Sequence, residues 1–178
     1  MHGKIGSVTI ETRQGDITAQ EDLAAVVNAA NAQLLPGGGV AGAIHRQAGP
    51  ELAEACRPLA PIRPGEAVIT PAFGLPNRYI IHCLGPVYGE DKPEDELLAR
   101  CYREALARAE EHQLDSVGFP AISAGAFGYP LGAALQVAMH TLAEQAPRLQ
   151  RVRLIRMVLF DVAGHDEARR ALAALPEQ

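Results

Sequence analysis

The chain has 178 residues, of which 48% are hydrophobic and 21% charged, and it contains 17 glycines and carries a net charge of −5. This length and balance predict a single globular domain over residues 1–178 and exclude a disordered chain, a collagen-like repeat and a disulfide scaffold. The acidic balance argues against nucleic acid as a partner, and no apolar stretch approaches the roughly 20 residues that span a bilayer, so no membrane partner is expected.

Strands and helices alternate along most of the chain. Short apolar or alternating runs predict strands at residues 7–12, 23–27, 67–70, 78–84, 116–119 and 152–160. Helical spacing of apolar residues predicts helices at 40–48, 51–57, 94–112, 131–145 and 166–175. Residues 15–18 form a turn into a second short extended piece, and Arg151, Arg153 and Arg156 are expected to form a solvated strand entry. This order is typical of an α/β fold in which helices cover both faces of a mostly parallel sheet.

Three consecutive glycines precede the first predicted helix. Gly37, Gly38 and Gly39 allow backbone N–H groups to approach an anion at the start of a helix, where unpaired amides and the helix dipole favour negative charge. Residues 37–42 match G-x-G-x-x-G, but the intervening Pro36 separates them from their strand, and the Lys-Ser/Thr of a P-loop is absent. The glycines are interpreted as a phosphate-contacting loop or as a flexible turn.

A second loop of small residues follows the strand at 116–119. It contains Ser123, Ala124, Gly125, Ala126 and Phe127. Ligands of open α/β sheets bind beyond the carboxyl ends of the strands, where this loop and the glycines are both expected. Two amide-rich loops could hold a diphosphate without a lysine or arginine, which suits an acidic protein. The alternative is a tight turn before a helix.

Four other candidate residues lie at or just beyond the ends of predicted strands. Asn28 and Asn31 could exchange hydrogen bonds with sugar hydroxyls, although asparagine also serves as a cap or turn residue. Asp16 could accept a hydrogen bond from the exocyclic amine of adenine and would reject guanine, which presents a carbonyl there. Phe160 could stack on a base. The commoner alternatives are an ordinary turn residue for Asp16 and a core aromatic for Phe160.

The cysteines and histidines predict neither a metal site nor another cofactor, because they lack the spacing of metal ligands. Cys56, Cys83 and Cys101 are widely spaced and odd in number, which suits a reducing compartment. The first residues do not form a signal-peptide core. A cytoplasmic protein is therefore expected. The protein is also expected to be a monomer.

Five short blocks, taken together, carry a family resemblance. They are residues 15–18, 27–31, 37–40, 81–86 and 120–128. On these blocks the chain resembles the macrodomain family of ADP-ribose-binding modules and hydrolases, from about residue 6 to residue 175. The resemblance implies a three-layer α/β/α fold with a mixed, mostly parallel sheet and a cleft at its crest.

The resemblance also implies roles for individual residues. It places Asp16, with the backbone of Ile17 nearby, on the adenine amine and Phe160 beside the adenine ring. Asn31 would hold the distal ribose, against which Phe127 packs. The loops wrapping the diphosphate would comprise Gly37, Gly38, Gly39, Val40, Ser123, Ala124, Gly125, Ala126 and Phe127, and Asn28 is counted with the ligand-binding residues. Asn31, Gly39 and Phe127 are the predicted catalytic residues.

One position departs from the pattern of the MacroD-type hydrolases. Their glycine run continues with Val-Asp-Gly, and that Asp is linked to activating water or positioning the sugar, whereas here Val40 is followed by Ala41. Certain archaeal and coronaviral macrodomains resemble this chain in having Val-Ala, and activity on mono-ADP-ribosylated acidic side chains is known in that group.

The resemblance therefore implies a protein that binds ADP-ribose and hydrolyses mono-ADP-ribose esters on Asp and Glu side chains. O-acetyl-ADP-ribose is a second expected substrate, and ADP-ribose and mono-ADP-ribosylated proteins are the expected partners. One alternative is a non-catalytic reader of ADP-ribose. A further alternative, an RNA- or poly(A)-binding module, is disfavoured by the acidic balance.

Overall fold

A seven-stranded mixed sheet forms the centre of the molecule in the computed structural model, which describes residues 2–176. Its strands are β1 (His2–Ile5), β2 (Val8–Gln14), β3 (Ala25–Ala29), β4 (Ala67–Pro71), β5 (Tyr79–Cys83), β6 (Ser116–Phe119) and β7 (Leu154–Leu159). They lie in the order β1-β2-β7-β6-β3-β5-β4. The inner pairs are parallel, and only the edge pairs β1/β2 and β4/β5 are antiparallel. The predicted mixed, mostly parallel sheet is confirmed.

Helices cover both faces of the sheet. They are α1 (Gly39–Ala48), α2 (Glu51–Cys56), α3 (Glu94–Glu111), α4 (Leu131–Gln145) and α5 (Val162–Ala173). Alternate residues of β3 point to opposite sides, so Val26 packs with α1 and α2, whereas Val27 packs with α3, α4 and α5. Between His2 and Pro176, no helix is both long and apolar enough to cross a membrane.

Three elements differ from the sequence-based prediction. The edge strand β1 was not predicted, since its segment has no apolar pattern and forms by pairing with β2. Residues Ile17–Ala19 form a short 3₁₀ helix rather than an extended piece, because the Asp16 side chain caps its first turn. Helix α5 begins four residues earlier than predicted, where Asp161 accepts a hydrogen bond from the Gly164 N–H at 2.7 Å.

The buried side chain of Arg156 also contradicts the sequence-based prediction. Arg151 and Arg153 are exposed, as expected of a strand entry, but the Arg156 side chain is only 2% exposed. Arg156 lies within β7, where it faces the same side of the sheet as Val158. Its hydrogen-bond partners lie on β2 and on the segment between β2 and β3, far away in sequence.

Glu110 of α3 anchors the segment that leads into β7. Its carboxylate accepts hydrogen bonds from the backbone N–H groups of Gln150, Arg151 and Val152, at 2.6, 2.9 and 2.9 Å. Burial opposes ionisation, but these donors outweigh it and hold the pKa of Glu110 below its usual range. The stabilisation is therefore present above the unfolded-state pKa and is lost as the pH falls through the folded-state pKa.

We expect Glu110→Gln to lower the free energy of unfolding by about 1–2 kcal/mol at pH 7. Both carboxylate oxygens accept backbone hydrogen bonds, whereas glutamine has one oxygen, so at least one backbone N–H loses its acceptor. The difference from wild type should shrink as the pH falls from the unfolded-state pKa through the lowered folded-state pKa, because the wild-type carboxyl then takes up a proton. Urea titrations at pH 7 and pH 3.5 measure both values. The exposed neighbour Glu111 is the matched control, and Glu111→Gln should cost less than about 0.5 kcal/mol. A pH-independent difference would contradict the prediction.

Candidate functional site

A two-part cleft lies where the carboxyl ends of the parallel strands meet. The first part has a volume of about 370 Å³ and is lined by residues 29–31, 37–41, 121–123 and 125–127 together with Gly85. The second part, of about 500 Å³, is lined by Gly15, Asp16, Ile17, Gly39, Val40, Ala43, Arg46, Pro120, Val158 and Phe160. Gly39 and Val40 line both parts, so the two parts adjoin each other. We call them the glycine part and the Asp16 part.

One wall of the glycine part is the first loop, residues 37–39, which leads into α1. Gly39 has φ +57°, a backbone conformation that glycine adopts without strain. The loop packs directly against α1 at Gly42. A Cβ placed on Gly42 would be only 2.3 Å from the Gly37 carbonyl oxygen. The first-turn N–H groups of α1 have no partners within the helix, and their residues line the cleft. This wall therefore presents backbone N–H groups of the kind that bind anions at helix N-termini.

The opposite wall is the second loop, residues 123–127, which is held in place by hydrogen bonds at its base. The Ser123 hydroxyl donates a hydrogen bond to the Pro86 carbonyl at 2.8 Å, and the Tyr129 N–H donates to the Ser123 carbonyl at 2.9 Å. The buried Tyr102 hydroxyl accepts a hydrogen bond from the Ile122 N–H at 3.3 Å. These contacts hold Ser123 at φ +68°, which is unfavourable for a serine. The loop is thus pre-organised.

Asn31 and Phe127 belong to the walls of the glycine part. The Asn31 amide donates a hydrogen bond to the Leu35 carbonyl at 2.7 Å, and its oxygen accepts one from the Leu35 N–H at 3.0 Å. Phe127 is half-buried, and its carbonyl accepts a hydrogen bond from the Tyr88 N–H at 2.8 Å. Ala41, at the position that departs from the MacroD pattern, presents only a methyl group. Among the described lining residues of this part, none has a charged side chain.

The Asp16 part contrasts with the glycine part because charged side chains line it. Asp16 is exposed, and its Oδ1 accepts hydrogen bonds from the Thr18 N–H at 2.8 Å and the Thr18 hydroxyl at 2.7 Å. Within the described residues, Oδ2 has no protein donor and is available to a ligand. Phe160 is 85% exposed at the end of β7. Its aromatic ring is therefore open to a ligand in the cleft.

Twelve of the fourteen predicted site residues line this cleft, and Asn28 and Ala124 do not. Asn28 is 1% exposed beneath the cleft, where its amide nitrogen lies 3.1 Å from Nδ1 of His82. Nε2 of His82 lies 2.9 Å from the Thr70 hydroxyl, and burial lowers the pKa of His82 to about 3, so the ring is neutral. Ala124 packs against the core on the α3/α4 side of the sheet. Asn28 is therefore too deeply buried to touch a ligand directly.

Sequence reasoning missed three cleft features: Arg46, Gly42 and Gly85. Arg46 is an exposed cation of the Asp16 part, and its spacing from Gly39 and Ala43 could have placed it on the cleft-facing side of α1. Gly42 sets the distance between α1 and the first loop. Gly85 lies under the second loop, where a Cβ would be 2.1 Å from the Ser123 hydroxyl oxygen. Only the folded chain reveals these two close approaches.

A three-layer α/β/α sandwich with an amide-lined cleft at the carboxyl edge of its sheet has the architecture of a macrodomain. The chain belongs to that family, since the Macro domain model matches residues 27–138. A macro domain-containing protein of Ralstonia nicotianae is 46% identical over 165 residues, covering 92% of this chain and 96% of the relative. A second macro domain-containing protein, from Lactiplantibacillus plantarum, is 47% identical over 170 residues, covering 94% of this chain and 98% of the relative.

Solved macrodomains have the same fold. The Oceanobacillus iheyensis macrodomain with ADP has a TM-score of 0.92 and 40% identity, covering 97% of this chain and 94% of that one. The Trypanosoma brucei macrodomain in complex with ADP-ribose has a TM-score of 0.85 and 35% identity, covering 92% of this chain and 68% of that one. The family and the three-layer fold implied by the resemblance are therefore confirmed.

Proposed function

We propose that this protein binds ADP-ribose and hydrolyses the ester that joins mono-ADP-ribose to Asp and Glu side chains of proteins. The two adjoining parts of the cleft carry the proposal, because they match the parts of ADP-ribose in chemistry and order. An acceptor for an amine and an exposed aromatic ring lie at one end, at Asp16 and Phe160. Two amide-rich loops face each other farther along, and Asn31 completes the glycine part. The solved relatives with ADP and ADP-ribose support the same ligand here.

At the adenine end, Oδ2 of Asp16 would accept a hydrogen bond from the exocyclic amine while Oδ1 continues to cap Thr18. We expect Asp16→Asn to weaken ADP-ribose binding by about tenfold or more. The amide oxygen can still cap Thr18, but the amide NH2 group would face the adenine amine, and both are hydrogen-bond donors. Binding of ribose 5-phosphate, which lacks the base, should change by less than about twofold. Calorimetric titration of both ligands measures the contrast, and equal losses would move adenine away from Asp16.

The proposed reaction depends on the positioning of the distal ribose and a water molecule, and it uses no protein side chain as a general base. A water oxygen forms a bond to C1 of the distal ribose, the bond from C1 to the carboxyl oxygen breaks, and the departing carboxylate keeps the electron pair. The water proton passes to a phosphate oxygen of the substrate and then to solvent. Asn31, Phe127 and the backbone at Gly39 would hold the ribose for this attack. Well-oriented substrate groups can supply several kcal/mol of rate acceleration.

The direct test follows label release from an acceptor protein that carries mono-ADP-ribose on glutamate. Wild-type protein should release the label above the blank, and a variant that cannot bind ADP-ribose should not. O-acetyl-ADP-ribose, which also carries an ester on the distal ribose, is the second substrate to assay. Absence of release with ADP-ribose still bound would contradict the hydrolase proposal.

Ala41 favours one alternative function, a non-catalytic reader of ADP-ribose. The residue lies in the wall of the glycine part, so a methyl group stands where a MacroD-type carboxylate would act on water. A reader would bind mono-ADP-ribosylated proteins through the same cleft and release them unchanged. The label-release experiment separates the two functions, since only an enzyme frees ADP-ribose from its acceptor.

A further inference from the structure

A buried arginine lies beneath the Asp16 part of the cleft. The guanidinium of Arg156 donates two hydrogen bonds to the carboxylate of Asp22, at 2.8 and 2.7 Å, and Nε donates one to Glu11 at 2.8 Å. Arg156 lowers the pKa of Asp22 to about 2, so this carboxylate stays ionised. A bidentate ion pair fixes the plane of the guanidinium.

The same guanidinium also orients Gln20. Nη1 of Arg156 donates a hydrogen bond to Oε1 of Gln20 at 2.9 Å, and Gln20 is only 5% exposed. Since the amide oxygen is held by a cation, its Nε2 must point the other way. Nε2 donates to the backbone carbonyl of Asp16 at 2.8 Å. An unbroken hydrogen-bonded chain therefore runs from Arg156 through Gln20 to the backbone of Asp16.

Stability alone is a weak reason for this arrangement. Removing an arginine from water carries a desolvation cost, and apolar residues of similar volume often replace buried ion pairs without loss of stability. The fixed geometry of the guanidinium, in contrast, is suited to holding a loop in one position. The loop it holds carries Asp16 and the short 3₁₀ helix Ile17–Ala19.

We propose that Arg156 and Gln20 are positioning residues that set base specificity, by holding Asp16 where its carboxylate accepts from a 6-amino purine and excludes a 6-oxo purine. This inference rests on the proposed binding of adenine at Asp16. Arg156 and Gln20 act through Asp16 and touch no ligand, since neither lines the cleft. If Asp16 shifts, its carboxylate loses alignment with the amine, and the penalty against a carbonyl at the same position falls with it.

The test compares ADP-ribose with its 6-oxo analogue, inosine diphosphate ribose. Gln20→Met keeps the side-chain volume but removes the hydrogen bonds to Arg156 and to the Asp16 carbonyl. The ion pairs of Arg156 with Asp22 and Glu11 remain and stabilise the fold. We expect ADP-ribose binding to weaken about 3- to 10-fold and the preference over the inosine analogue to fall by a similar factor. Ribose 5-phosphate binding should stay unchanged. A merely structural role would weaken all three ligands together and leave the preference intact.

Three further variants test whether the loss of base preference comes from the Gln20 hydrogen bonds. Gln20→Glu keeps the acceptor for Arg156 but lacks the donor to Asp16, so it should lose preference as Gln20→Met does, whereas the exposed neighbour variant Glu21→Gln should keep it. In an Asp16→Asn background, Gln20→Met should cause no further change in preference.

The possible outcomes distinguish the positioning role of Gln20 from the binding of adenine at Asp16. A wild type that prefers adenine, with Gln20 variants that keep the full preference, overturns the inference alone. A wild type that binds both purines equally overturns the adenine assignment and this inference together.

Discussion

The Gly125→Glu variant should lose ADP-ribose affinity by at least about 100-fold while folding like the wild type. Gly125 is exposed in the wall of the glycine part, and a Cβ there would meet nothing within 4 Å. The substitution therefore creates no clash at Cβ, and its carboxylate would stand beside the proposed diphosphate. Two like charges about 4 Å apart near a protein surface repel by about 4 kcal/mol. Calorimetric titration with ADP-ribose measures the loss.

Two companion variants separate charge from bulk at this position. Gly125→Ala adds only a methyl group in open space and should change affinity by less than about threefold. Gly125→Gln matches glutamate in size without its charge, so it should bind better than Gly125→Glu, and the difference should shrink at high salt. An unchanged affinity in Gly125→Glu, with an unchanged melting temperature, would place the anion outside this loop.

Much of the cleft could be predicted because its residues follow strands. Parallel strands bring their carboxyl ends to one edge, so Asp16, Asn31 and the loop containing Gly125 meet there although they are far apart in sequence. The strand at 116–119 and the helix at 131–145 agree with the structure residue for residue. Periodicity is reliable for such central elements, since their apolar residues are buried by neighbours on both sides.

The missed features depend on contacts that local sequence does not contain. Arg156 resembles its exposed neighbours in sequence, but its acidic partners Glu11 and Asp22 lie 145 and 134 residues away. Asn28 follows an apolar run as a ligand-binding residue would, yet in the register of β3 with β5 it lies opposite His82 and faces inward. In both cases the tertiary partner, rather than the residue type, determines whether a polar side chain is buried.

The second large expected effect is a loss of ADP-ribose affinity in the Gly42→Ala variant. The spacing between α1 and the first loop leaves no room for a methyl group at Gly42. Alanine normally stabilises a helix relative to glycine, by about 1 kcal/mol. At Gly42, however, the new Cβ would lie 2.3 Å from the Gly37 carbonyl oxygen, and ordinary contact begins at 3.4 Å. The first loop must therefore move by roughly 1 Å, a displacement large enough to disrupt a positioned site. We expect Gly42→Ala to weaken ADP-ribose binding by about tenfold or more.

The chain offers a matched control for this substitution in another helix. Gly132 lies in α4, where a Cβ would meet only the end of the Glu167 side chain at 3.4 Å, and that flexible group can move aside. Gly132→Ala should therefore raise the free energy of unfolding by about 0.5–1 kcal/mol and leave ADP-ribose affinity unchanged. Thermal melting and calorimetric titration of the two variants together separate loop displacement from a general effect of alanine. If Gly42→Ala bound ADP-ribose as tightly as Gly132→Ala, the first loop would not be the diphosphate wall, and the anion would have to be held by the second loop alone.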